Sequence, residues 1–215
     1  AMQGAAILAA SAALHHGAGR VLLQLLDQGQ LQQLPQTPEI MLRNQVTALA
    51  QLPSSTVVCG CGGGSSVAAL LPKVLEHSAR LLLDADALNA IAADAMLRQR
   101  LKNRGAAGLP TVLTPHPLEA ARLLNSSVPA VQADRLAAAH TLANTLDCTV
   151  LLKGSGSIIA SPGEVPHINP TGNALLATGG TGDVLAGMVA AHWASMQNNV
   201  NSNAHRAACA GAYAH

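Results

Sequence analysis

The chain has no phenylalanine, one tryptophan and one tyrosine among 215 residues, so its core has to be assembled from Ala, Leu, Val and Ile. Charge is scarce as well. Asp, Glu, Lys and Arg make up 11% against 49% hydrophobic residues, which excludes a disordered, solvated chain. Twelve Lys and Arg against eleven Asp and Glu leave a net charge of +1. The basic field of a phosphate-backbone binder is therefore missing, and no nucleic-acid partner is expected. No apolar run reaches the ~18–20 residues that cross a bilayer, so no membrane partner is expected either. The segment Ala5–Leu14 lacks the basic leader and long unbroken apolar stretch of a signal peptide. Four Cys at this length read as free thiols of a reducing, cytoplasmic compartment rather than a disulfide scaffold. The phosphate loop of Walker-type NTPases is also lacking.

What is present alternates between short apolar runs and helical patterns. Val21–Leu26, Thr56–Cys59, Arg80–Leu83, Thr111–Leu113, Thr149–Leu152 and Ser157–Ala160 read as strands. Several are continuous and Val/Leu-rich, the habit of strands buried on both faces of a parallel sheet. Gly4–His16, Ser66–His77, Ala87–Gln99, Glu119–Asn125 and Val131–Leu146 carry helical spacing. The alternation predicts a single α/β domain over residues 1–215, a three-layer α/β/α sandwich with a mainly parallel sheet. Hairpin spacing around Thr149–Ile168 predicts an antiparallel edge. Pro35–Pro38 and Asn198–Asn203 read as loops. The chain opens inside an apparent helix, Ala1–His16, and closes inside another, Ala204–His215. A first helix with no strand to cross over from predicts a fragment lacking its first strand and its C-terminal end.

The richest stretch is Asn169-Pro-Thr-Gly-Asn-Ala-Leu-Leu-Ala-Thr-Gly-Gly-Thr-Gly-Asp-Val-Leu-Ala-Gly187. Gly179, Gly180 and Gly182 form a loop with little side chain, and the apolar helix Val184–Ala194 follows Asp183. A glycine loop at a helix N-terminus presents backbone N–H groups to an anion, aided by the helix dipole. Asp183 in that place can take a proton from a hydroxyl while the N–H groups hold a transferring phosphoryl group. The same residues also fit an N-cap aspartate after a glycine turn. Lys153, at a strand end before Gly154, fits a point charge for a phosphate or a solvated lysine. Asp84 and Asp86 lie where ligands of α/β sheets gather, or cap a helix, with Asp86 placed as N-cap of Ala87–Gln99. His116, between two prolines, is held rigidly and exposed. Cys59 and Cys61 are too close together for a zinc knuckle and read as small residues buried beside a glycine loop. The other His residues, His15–His16 included, have no metal-like spacing.

Thr178-Gly-Gly-Thr-Gly-Asp-Val-Leu-Ala-Gly187 resembles the signature of the ADP/ATP-dependent NAD(P)H-hydrate dehydratases, which have a ribokinase-like fold. Val57-Val-Cys-Gly-Cys-Gly-Gly-Gly64, Leu83-Asp-Ala-Asp-Ala-Leu-Asn89, Thr114-Pro-His-Pro-Leu-Glu119 and Leu152-Lys-Gly-Ser-Gly-Ser157 resemble further motifs of that family in the same order. Gly4-Ala-Ala and Gly17-Ala-Gly19 fit it too. Two positions depart from the family pattern: Cys61 stands where Pro is usual, and Leu118 where Gly is usual. Leu118 brings a side chain and a φ restriction into the pocket wall.

The resemblance implies repair of the hydrates of NADH and NADPH (NADHX and NADPHX). The ring hydroxyl is phosphorylated and phosphate is then eliminated. It implies Asp183 as base with Gly180, Thr181 and Gly182 at the phosphoryl group. Lys153, Gly154, Ser155, Gly156, Ser157 and Gly182 would take the nucleotide, and Ala5, Gly62, Gly64, His116 and Asp183 the hydrate. ADP is the expected donor, or ATP, with AMP as the ADP product and Mg²⁺ as counter-cation but no metal ligands assigned. The family often pairs this domain with an NAD(P)H-hydrate epimerase. The runner-up is a small-alcohol kinase of the same fold, such as a hydroxyethylthiazole kinase. A non-catalytic nucleotide-binding module is the third reading, and Asp183 argues against it. The Ala-rich, nearly all-round apolar Gly4–His16 predicts a homo-oligomer, a tetramer, with that helix at an interface.

Overall fold

The structure, a computed structural model, describes residues 2–26, 34–196 and 202–215. Its centre is a six-stranded sheet whose order along the sheet is the order along the chain. The strands are β3 (Thr56–Cys59), β4 (Arg80–Leu83), β5 (Thr111–Leu113), β6 (Thr149–Leu152), β7 (Ile158–Ala160) and β8 (His167–Ile168). β3 to β6 are parallel, whereas β7 and β8 run antiparallel and form the expected edge. Side-chain alternation splits each central strand between two cores. Leu81, Leu83, Leu113, Val150 and Leu152 face one, and Leu82, Val112 and Leu151 face the other. Both faces are buried, so these strands are apolar at every position after the first.

Helices cover both faces. Before β3 come α1 (Gln3–His15), the short pair β1 (Leu22–Leu23) and β2 (Met41–Leu42), and α2 (Gln45–Ala50). Between the central strands lie α3 (Val67–His77), α4 (Ala85–Ala93), α5 (Ala95–Ala106), α6 (Pro117–Leu124), α7 (Val128–Ala133) and α8 (Arg135–Leu146). After β8 come α9 (Thr181–Ser195) and α10 (Ser202–Ala214). Helices α3, α4, α5, α6 and α8 pack on the face of Leu81, and α1, α9 and α10 on the face of Leu82. This is the three-layer, mainly parallel sandwich expected.

Four expectations are corrected. Val21–Leu26 is not a strand of the central sheet. Only Leu22–Leu23 pairs, parallel to Met41–Leu42 in a separate two-stranded sheet. A cavity of about 490 Å³ lies between that small sheet and β3. Ala87–Gln99 is two helices, because Asp94 accepts the N–H groups of Met96 (2.7 Å) and Leu97 (3.3 Å) and starts a new one. Val131–Leu146 breaks likewise at Asp134, whose carboxylate accepts from Ala137 N–H at 2.9 Å. Asp caps restart the backbone ladder although the apolar spacing runs through them. Ser202 and Asn203 belong to α10, while the rest of the loop expected over Asn198–Asn203 lies outside the described residues.

Helix α1 crosses α9 at backbone contact. A Cβ on Gly187 would overlap the carbonyl oxygen of Ala9 and lie 3.0 Å from Ala12 Cβ. On another side, Ala10 joins Val21, Leu23, Leu34 and Ile40 in a third small core. Two sides of α1 are thus covered within the chain, so its apolar circumference no longer requires a second copy. We expect Gly187→Ala to destabilise the protein by about 1–3 kcal/mol, read as a lower melting temperature. The ~1 kcal/mol gain in helix propensity is smaller than the overlap with a backbone oxygen that no rotamer relieves.

Candidate active site

The chemistry gathers at the C-terminal ends of β3, β4 and β6 and the N-terminus of α9, where ligands of open α/β sheets bind. Gly180 is the N-cap of α9 at φ 91°, a left-handed backbone suited to glycine. The first N–H groups of a helix have no intrahelical partner, so those of Thr181, Gly182 and Asp183 form an anion cradle. The Thr181 hydroxyl is already used: it donates to the carbonyls of Leu176 and Thr178, both at 3.0 Å, and fixes the loop. Thr181 can therefore offer an anion its backbone N–H.

Asp183 sits in the first turn of α9 and is not the cap, so the N-cap reading is set aside. Its carboxylate, that of Asp84 and the Cys61 thiol lie with one oxygen or sulfur each within 4.8 Å of one another. Burial raises the Asp183 pKa above the ordinary carboxylate range, while a hydrogen bond from Cys61 lowers it in part. Burial, with Asp84 and Asp183 alongside, pushes the Cys61 thiol far up, so it stays a protonated donor. Cys61 is thus a small residue buried beside the glycine loop, as expected, and its sulfur lies within 4.8 Å of a carboxylate oxygen of the base.

Lys153 is not a solvated lysine. Its Nζ donates to Asp84 Oδ1 at 2.8 Å, and the Asp84 side chain is 2% exposed. A Cβ on Gly182 would lie 3.2 Å from the same ammonium, which places Lys153 beside the α9 cradle. Asp84 is held where β4 ends, and the next residue, Ala85, takes φ 46°, a strained conformation for a residue with a side chain. Asp86 does not cap its helix. It lies in the first turn of α4, and its Oδ2 accepts the Gly64 N–H at 2.7 Å. The first glycine loop is thereby fastened to α4.

Of the residues expected for the hydrate, Ala5, Gly62 and Gly64 lie in or against that loop. Met2 N–H donates to the Gly62 carbonyl at 2.8 Å, and a Cβ on Gly62 would meet the Met2 carbonyl and lie 2.9 Å from Ala5 Cβ. His116 is the N-cap of α6. Its Nδ1 accepts from Leu118 N–H (3.1 Å) and Glu119 N–H (3.4 Å), and the Glu119 carboxylate accepts the His116 N–H at 2.8 Å. The ring's pKa is lowered by burial and by Lys153, consistent with a neutral imidazole whose Nε2, 3.3 Å from Glu119 Oε1, carries the proton. Leu118 is 44% exposed and leaves the α6 cap intact. The loop Lys153–Ser157 turns at Gly154 (φ 148°) and Gly156 (φ 62°), with Ser157 Oγ donating to the Gly154 carbonyl at 3.1 Å. The 490 Å³ cavity reaches Gly60–Gly63 but is not lined by Lys153, His116 or Asp183.

Sequence patterns did not reveal the Asp84–Lys153 pair, 69 residues apart in the chain, or Arg135, which touches the 153–157 loop. His215 was missed as well: it lies beside the backbone of Thr181 at the start of α9, and burial lowers its pKa. No local signal marks any of the three.

The Cys61 contact carries a test. Asp183 must be ionised to accept a proton, and Cys61 favours that form, so Cys61→Ala should move the acid limb of the kcat/KM profile to higher pH. An unmoved limb would show that the thiol does not act on Asp183.

The sequence profile of the NAD(P)H-hydrate dehydratases matches residues 1–215. The ADP-dependent (S)-NAD(P)H-hydrate dehydratase of Neisseria meningitidis is 40% identical over 219 residues, covering 100% of this chain and 71% of that protein. The bifunctional NAD(P)H-hydrate repair enzyme of Moorella thermoacetica is 38% identical over 209 residues; the match covers 88% of this chain and 38% of that protein. Among solved structures, the Bacillus subtilis ADP/ATP-dependent NAD(P)H-hydrate dehydratase, co-crystallised with ATP/Mg²⁺ and soaked with CoA, superposes with a TM-score of 0.72 at 26% identity. That superposition covers 99% of this chain and 75% of the other. The glycine cradle, its aspartate and the loops facing them accordingly belong to a chain that is a member of the NAD(P)H-hydrate dehydratase family.

Proposed function

We propose that the chain dehydrates (S)-NAD(P)H hydrate at the expense of ADP, with Asp183 as the base. The observation that carries this reading is the placement of Asp183 in the first turn of α9, inside the anion cradle and beside Lys153. Asp183 takes the proton of the ring hydroxyl, whose oxygen bonds to the β-phosphorus of ADP as the bridging P–O bond breaks and AMP leaves. The free N–H groups at the start of α9, Thr181 and Gly182 among them, hold the transferring phosphoryl group beside Gly180, and Lys153 neutralises charge that develops on it. Phosphate is a far better leaving group than hydroxide. The ring C–O bond then breaks, the neighbouring carbon gives up a proton, and the double bond returns.

Lys153, Gly154, Ser155, Gly156 and Ser157 line the nucleotide, and Ala5, Gly62, Gly64 and His116 the hydrate. A magnesium ion fits the donor set through Asp84, whose carboxylate is a hard oxygen ligand; Asp183 is left free as the base, and the Cys61 thiol is no ligand for it. Bound with the phosphates, it would neutralise their charge. The first relative's ADP dependence supports ADP over ATP as donor.

The test is an assay holding hydrate, Mg²⁺ and either nucleotide, followed by the return of the reduced-nicotinamide absorbance. Recovery with ADP and production of AMP are expected. Phosphorylation of hydroxyethylthiazole, with no recovery from the hydrate, would favour the small-alcohol kinase instead.

A further inference from the structure

The guanidinium of Arg135, the first residue of α8, lies against the loop that follows β6. Its Nη1 donates to the Ser155 carbonyl at 2.6 Å, and its Nη2 to the carbonyls of Leu152 and Lys153, both at 3.4 Å. A Cβ on Gly154 would lie 2.7 Å from Nη2 and 3.1 Å from Cζ, so loop and guanidinium fit without room for a side chain between them. Arg135 is anchored in turn, since the Asp134 cap fixes the start of its helix. Its Nε is enclosed without a partner among the described residues, so the donors it places are those on Nη1 and Nη2, which meet the loop carbonyls.

Lys153 is held from three directions. Its N–H donates to the Pro115 carbonyl at 2.8 Å, its ammonium to Asp84, and its own carbonyl accepts from Arg135. Carbonyl oxygens repel an approaching phosphate, and a cation bound to three of them cancels that repulsion. We propose that Arg135 is the positioning residue of the nucleotide loop, clasping the carbonyls of Leu152, Lys153 and Ser155 so that Lys153 and the glycines keep the shape that receives the donor's phosphates. This rests on the reading of Lys153–Ser157 as the nucleotide loop.

The test combines amide hydrogen exchange of residues 152–157 with steady-state kinetics in Arg135→Ala and Arg135→Lys. Lysine keeps the charge and the fold of the helix start but cannot span the carbonyls. Expected are faster exchange in the loop and a KM for ADP raised roughly 10-fold or more, the usual cost of losing a group that orients a binding group. The KM for the hydrate stays unchanged, the lysine variant is intermediate, and added methylguanidinium partly restores the alanine variant. Unchanged loop exchange would overturn the clasp itself. Faster exchange with unchanged ADP affinity would also overturn the proposal, and would locate the failure in the assignment of the nucleotide to this loop.

Discussion

Asp183→Asn should lower turnover by about 10²–10⁴-fold, the usual worth of a positioned base, while ADP still binds. The fold should persist for a reason the structure supplies. Gly180, not Asp183, caps α9, so the substitution removes no cap. Burial raises the Asp183 pKa, which means that the folded protein disfavours the ionised form. That cost to stability is present at neutral pH and relieved as pH falls through the folded pKa. A neutral amide escapes it, so the variant should melt at or above the wild-type temperature. Near-normal turnover in a folded variant would remove Asp183 from the mechanism. In the wild type, the acid limb of activity should lie above the pH at which an unperturbed aspartate titrates, near ~3.9.

The second large effect concerns Lys153. Lys153→Met leaves the Asp84 carboxylate, 2% exposed, without its partner at 2.8 Å. Removing one member of a buried pair costs about 3–5 kcal/mol. Lys153 keeps 19% exposure, so the lower end is expected, a melting temperature reduced by roughly 6–12 °C for a chain of this size. Asp84→Asn combined with Lys153→Met should recover most of that stability, because no buried charge remains unpaired. Activity should not return, because the cation beside Gly182 is gone. If the single variant melts like the wild type, the pair does not hold the site together.

The strands Arg80–Leu83, Thr111–Leu113 and Thr149–Leu152 were legible residue for residue because helices bury both of their faces, and the half-buried edge strand Thr56–Cys59 was legible from its Val-rich run. Such strands are written in the sequence as unbroken apolar runs. The helices around Asp94 and Asp134 were not legible as pairs, since the core they face continues across the break and only the cap contacts reveal it. Leu22–Leu23 resembled a central strand because it sits in a Val/Leu-rich run, but pairing partners are a property of the fold.

In the site, Asp183 and its glycines were visible as a local motif. The buried Asp84–Lys153 pair, the Asp86 contact with Gly64 and the clasp of Arg135 join segments far apart in the chain. Cys61 was expected to be no more than a buried neighbour of the glycine loop. Its contact with Asp183 depends on how α9 docks against β3.

The most direct measurement places a heavy-oxygen label in the ring hydroxyl of the hydrate and follows it through one turnover with ADP. If that oxygen attacks phosphorus after Asp183 removes its proton, the later break of the ring C–O bond must carry the label into inorganic phosphate. Label in phosphate, in step with AMP and reduced nicotinamide, is the predicted result. Label released as water would show that the hydroxyl leaves without being phosphorylated and would contradict the mechanism built on Asp183 and its glycine cradle.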